Sequence, residues 1–125
     1  MNIQEMLYSH LKNSPGVAAV AGARIYPLRL PQEPTLPAIT YQRVDAMQNY
    51  VHSGPTSAGR GLVSSRFQVS CWALTYAEAI TLSEAVKAAM DVLPDTAFIE
   101  TQADMYEPET SVYHIPVDVI VWYKE

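Results

Sequence analysis

At 125 residues the chain has room for one hydrophobic core and none for a second, so a single domain over residues 1–125 is expected. Hydrophobic residues at 49% and charged residues at 17% exclude an intrinsically disordered chain. Eight Lys and Arg against 13 Asp and Glu leave a net charge of −5, and the longest basic grouping is Arg24 with Arg29, split by an apolar run, which argues against a charged face for nucleic acid.

Ile3, Met6, Leu7, His10 and Leu11 recur at helical spacing behind a capping Asn2, and Asn13-Ser14-Pro15-Gly16 is expected to stop that helix. Residues 17–20 add a short helical turn, and Arg24-Ile25-Tyr26-Pro27 reads as a brief strand. Pro27, Pro31, Pro34 and Pro37 force residues 28–36 into an extended loop or sheet-edge crossing. Ala38 to about Met47 has the β-branched and aromatic content of a strand. Its partner runs from Leu62 to Ala73, with Val63, Phe67, Val69, Cys71 and Ala73 on a buried face. Ser64, Arg66, Gln68 and Ser70 lie opposite, and Trp72 interrupts that polar side. Between the two strands, residues 48–61 hold Gly54, Gly59 and Gly61 without apolar periodicity and are expected to be a long mobile hairpin loop.

A second main helix spans Thr75 to about Val92, with Ala79, Leu82, Val86, Ala89, Met90 and Leu93 as its core stripe, Thr75 and Glu78 as a capping box, and Pro94 ending it. A strand from Ala97 to about Met105, a turn at Tyr106-Glu107-Pro108-Glu109-Thr110 and a strand from Val112 to Tyr123 complete the chain, the two strands pairing as a hairpin. In the last strand Tyr113, Ile115, Val117, Val119, Val121 and Tyr123 share one face, while His114, Pro116 and Asp118 face away and give way to Ile120 and Trp122. An end that is apolar on both faces needs either cover on both sides or burial by another subunit. The fold class is α+β, a mainly antiparallel sheet of four to five strands with two main helices on one face.

No residue set with catalytic, cofactor or metal chemistry emerges. His10, His52 and His114 are scattered over a helix, a loop and a strand, without the spacing that places metal ligands together. Cys71 lies on the apolar face of its strand and His114 on the polar face of another, so Cys71 reads as core filling rather than a nucleophile. Being alone, it cannot form an internal disulfide, which fits a reducing compartment. Asp104, Glu107 and Glu109 lack a calcium-loop pattern and read as a solvated turn or a subunit contact. The glycines of residues 54–61 match no phosphate-binding motif. No run approaches the ~18–20 apolar residues of a membrane span, and residues 1–11 lack the pattern of a secretion signal, so no membrane partner is expected. For most of the eight tyrosines a core position is the default expectation.

Taken in order, an amphipathic opening helix, Arg24-Ile25-Tyr26-Pro27, Leu36-Pro37-Ala38-Ile39-Thr40-Tyr41-Gln42-Arg43-Val44, and Arg66-Phe67-Gln68-Val69-Ser70-Cys71-Trp72-Ala73 running into Thr75-Tyr76-Ala77-Glu78-Ala79 resemble the phage tail-completion or tail-terminator family. Tyr106-Glu107-Pro108-Glu109-Thr110 ahead of Trp122-Tyr123 extends the resemblance over nearly the whole chain. It implies a virion structural protein, made in the host cytoplasm, that assembles with itself as a ring, usually a hexamer. The ring would terminate the tail tube at the neck, bind tube protein and a head-tail connector protein, and let DNA pass without specific binding. On that reading Gln48, Asn49, Tyr50, His52 and Arg60 are candidates for a partner-contact loop, and Trp72, Tyr106, Glu107, Glu109, Ile120 and Trp122 for the subunit interface. The alternative is a small α+β enzyme or ligand-binding domain whose site is assembled from tertiary contacts.

Overall fold

The computed structural model describes residues 2–49, 62–93 and 96–124. Its first helix, α1 (Ile3–Asn13), is capped by Asn2, whose Oδ1 accepts from the Glu5 N–H at 2.7 Å. The expected stop at Asn13-Ser14-Pro15-Gly16 is instead a restart, because Pro15 opens α2 (Pro15–Ala21), where its missing N–H falls among those a first helical turn leaves unused. Then come β1 (Ile25–Pro27), the proline-rich crossing, β2 (Ala38–Asn49), β3 (Leu62–Ala73), α3 (Tyr76–Asp91), β4 (Thr96–Gln102), β5 (Met105–Glu107) and β6 (Val112–Lys124).

The strands form one six-stranded sheet in the order β1-β2-β3-β6-β4, with β5 beside β6 as well; β1 joins β2 in parallel and every other pair is antiparallel. The strand expected over residues 97–105 is therefore two strands, and Pro116 explains the break. The end of β4 and β5 share one register on β6, with Gln102 opposite Val117 and Met105 opposite His114. Between them Ala103 donates its N–H to the Pro116 carbonyl at 3.3 Å, so that edge of Pro116 faces the gap. A residue's N–H and C=O leave a strand on the same side, and proline has no N–H to return, so the ladder lapses there.

All three helices cover the same face of the sheet. Phe67, Val69 and Cys71 of β3 and Ile115, Val117 and Val119 of β6 form one buried cluster with Leu7 and Leu11 of α1, Val17 of α2, and Leu82 and Val86 of α3. Burial takes Cys71 fully into that core and pushes its thiol up to about 12, which leaves it protonated at neutral pH. None of the described tyrosines is buried, contrary to the expected core placement; Tyr8, Tyr41, Tyr113 and Tyr123 pack against the core's edge with their rings part-exposed. A phenolic oxygen needs a partner, and Tyr123 finds one in Ser65 at 2.9 Å. His10 ties α1 to α3, its Nε2 donating to the Ala89 carbonyl at 2.6 Å.

The α3 stripe lies where its periodicity put it, and Thr75 caps the helix by accepting the Glu78 N–H on Oγ1 at 3.2 Å. Thr75→Ala is expected to lower stability by about 1 kcal/mol in urea denaturation, with an unchanged dependence on denaturant.

Candidate functional site

No helix packs on the other face of the sheet among the described residues, and two β-bulges shape it. Val44 is the extra residue of β2 between Arg43 and Asp45, and Glu100 that of β4 between Ile99 and Thr101. Each bulge reverses the side-chain alternation beyond it. Asp45 and Met47 are thereby brought onto the open face beside Arg66 and Ser64. Across β6, Arg66 reaches the Glu100 carboxylate at 3.2 Å, and Thr101 donates its hydroxyl to Asp118 at 3.1 Å.

Two apolar surfaces lie at opposite ends of this face. At one, Phe98 is 58% exposed beside half-buried Ile120 and Trp122, with exposed Met47 across the sheet. At the other, the proline-rich crossing, the end of β3 and the β5–β6 turn enclose a groove of about 520 Å³ whose lining includes Leu28, Leu36, Trp72, Leu74, Arg29 and Glu107. Ser64 pairs with Trp122 and Trp72 with His114, so the two ends lie eight positions apart along β3, about 27 Å at the rise of a strand.

In the groove wall the Trp72 indole stacks on the His114 imidazole, centroids 3.8 Å apart and planes 5° from parallel, and its Nε1 donates to Thr40 Oγ1 at 3.0 Å. Glu107 Oε1 lies 4.0 Å from His114 Nδ1. Burial pushes the imidazole below its ordinary range, and the nearby Glu107 carboxylate opposes that shift. Next to the groove, Tyr106 packs on Tyr113 at 4.8 Å and Tyr113 on Tyr76 at 5.7 Å, while the Tyr76 hydroxyl donates to Asp104.

The residues singled out as a subunit interface therefore fall into two groups. Trp72, Tyr106, Glu107 and Glu109 gather at the groove end, where residues 106–110 line a second concavity of about 300 Å³. Ile120 and Trp122 belong to the Phe98 end. Tyr106 and Glu107 sit in β5 rather than in the turn expected there, and only Pro108 to Ser111 turn. Of the candidate loop, Gln48 and Asn49 extend β2, paired with Val63 and Leu62, which corrects the expected loop start; Tyr50, His52 and Arg60 lie outside the described residues. Phe98, Leu28 and Leu74 are not among the sequence candidates, the first because its strand shows no buried or open face by alternation and the others because loops carry no periodicity. Among the described residues, no group of three His, Cys, Asp or Glu is placed to hold a metal ion, and no helix is long and apolar enough to cross a membrane.

These features define a small α+β domain with a one-sided sheet and two separate apolar ends. The same fold occurs in a chain from the virion of native gene transfer agent (GTA) particle, with a TM-score of 0.78 over 98% of this chain and 95% of that one at 16% identity. Residues 5–124 match tail completion protein gp17, and the chain belongs to that family, the structural proteins of a phage-type tail. No curated protein matches the sequence.

Proposed function

We propose that the chain is the subunit of a closed ring that terminates the tail tube and joins it to the head connector. The observation that carries this reading is the pair of unlike apolar surfaces about 27 Å apart on one small domain. A closed ring needs two different faces on every copy, each meeting the other kind on its neighbour, whereas a two-fold dimer would use one face twice. Six copies, as the resemblance implies, supply six such contacts. A net charge of −5 suits a channel that lets DNA slide, since like charge keeps phosphates from sticking. Tail tube protein and a head-tail connector protein are the partners at the two rims.

Light scattering across protein concentration and salt tests the reading. A closed oligomer near six subunits is expected, either alone or once tube protein is added. A chain that stays monomeric with tube protein present overturns it. Replacing residues 50–61 by a two-residue turn is expected to preserve folding, since loop closure entropy varies slowly with length, while abolishing attachment to tube or connector protein in co-sedimentation. Undiminished attachment removes these residues from the contact.

A further inference from the structure

The groove wall holds an arrangement that neither ring assembly nor core packing requires. His114 has a side chain only 13% exposed, and among the described residues both its ring nitrogens are shielded from solvent without a hydrogen-bond partner. A neutral imidazole placed so leaves one donor and one acceptor unused, which is a standing cost to the fold. Among the described residues the carboxylate close by is that of Glu107, which stops at 4.0 Å from Nδ1, beyond hydrogen-bond length, with its side chain 44% exposed. Trp72 lies flat on the ring and is itself held by Thr40.

We propose that His114, Glu107 and Trp72 form a proton-operated latch, in which protonation of His114 draws the Glu107 carboxylate onto Nδ1, shifts the stacked Trp72 and so reshapes the groove. Protonation turns both nitrogens into donors and places a positive charge between an indole face and a carboxylate. A charge-assisted bond and a cation–π contact are gained together. The register brings the parts together: Trp72, His114 and Met105 are cross-strand neighbours on β3, β6 and β5, and Glu107 is two residues beyond Met105 on the same face. Of the surrounding elements, β3 offers Trp72 and Ser70, β2 offers Thr40, and the helices lie on the other face. The proline-rich crossing contributes Arg29 to the same groove, which opposes a second positive charge, and the turn after β5 carries exposed Glu109, which favours it.

Because burial lowers the folded-state value, the latch operates below the ordinary histidine range near pH 6.5. The same sign governs stability. The unfolded chain binds the proton first, so the stability held above about pH 6.5 is lost as pH falls through the folded value, and the dependence then levels off.

The test uses the full chain carrying Trp122→Phe, which leaves Trp72 as the sole tryptophan. Its emission is followed from pH 8 to 4.5, alongside NMR titration of the His114 ring. One step is expected, with a midpoint below about pH 6.5 that coincides with the His114 titration. Adding Glu107→Gln moves the midpoint lower by about 0.5 units or more, and adding His114→Phe, which keeps a flat ring on Trp72, abolishes the step. A step that survives His114→Phe, a midpoint indifferent to Glu107→Gln, or loss of far-UV ellipticity before Trp72 responds each overturns the latch. If His114→Phe fails to fold, the NMR midpoint with and without Glu107→Gln decides alone.

Discussion

Replacing Phe67 by alanine is expected to lower folding stability by about 3–5 kcal/mol, the largest loss for any single truncation in this domain. Phe67 heads the fully buried side chains by volume and has no exposed surface. It sits mid-strand on β3, opposite Arg43 of β2 on one side and Val119 of β6 on the other, and faces the helices. Hydrogen-bonded strands on both flanks prevent the backbone from closing over the void, so the cavity cost adds to the lost burial of the ring. Against a total stability of about 5–15 kcal/mol for a domain, that is a large fraction. Urea denaturation reads the effect as a lower midpoint with an unchanged slope. A loss under about 1.5 kcal/mol would mean that the site relaxes as a surface site does.

Phe98→Glu tests the opposite property, a residue that matters to the assembly and little to the monomer. Phe98 is more than half exposed on β4, an edge strand of the sheet. A charge there meets water in the isolated chain, so the melting temperature is expected to stay within about 3 °C of the parent. In a subunit contact the same carboxylate would be stripped of water beside Ile120 and Trp122, with Arg66 already engaged by Glu100. Leaving such a charge unpaired costs about 3–5 kcal/mol per contact, enough to prevent ring closure when every copy carries it. Light scattering with tube protein is expected to show monomers only. Rings of wild-type mass would exclude the Phe98 end from the contact.

The parts of the fold that were legible had a period to read. β3 alternates cleanly along its length and α3 carries five residues of a core stripe that Leu93 completes just beyond it, and in both the face expected to be buried is buried. Cys71 as core filling followed from the same alternation. What the period could not show was where it slips. The bulges at Val44 and Glu100 each insert one residue, which moves Asp45 and Met47 to the open face and breaks the pattern expected of a continuous strand. Gln48 and Asn49 open a stretch without apolar periodicity that reads as a loop, yet pairing with Val63 and Leu62 holds them in β2. A core position is the default for most of the tyrosines, but Tyr8, Tyr41, Tyr113 and Tyr123 stop at the edge of the core and Tyr76 and Tyr106 are exposed, where a phenolic hydroxyl can reach water or a partner.

The candidate surfaces divide in the same way. Trp72, Ile120 and Trp122 were visible as apolar residues out of place on a polar face, a local property of their strands. That Trp72 shares a wall with Leu28 and Glu107 depends on three segments far apart in sequence meeting at one end of the sheet. By itself the sequence determined the longer elements, the buried faces of β3, α3 and β6, and the family, because each follows from neighbours a few residues apart or from the order of short motifs. Tertiary structure alone decided which strands became neighbours, that Pro116 would split β4 from β5, and that His114 would come to rest between an indole and a carboxylate. Those outcomes are set by pairing and register between distant segments, which no local pattern encodes.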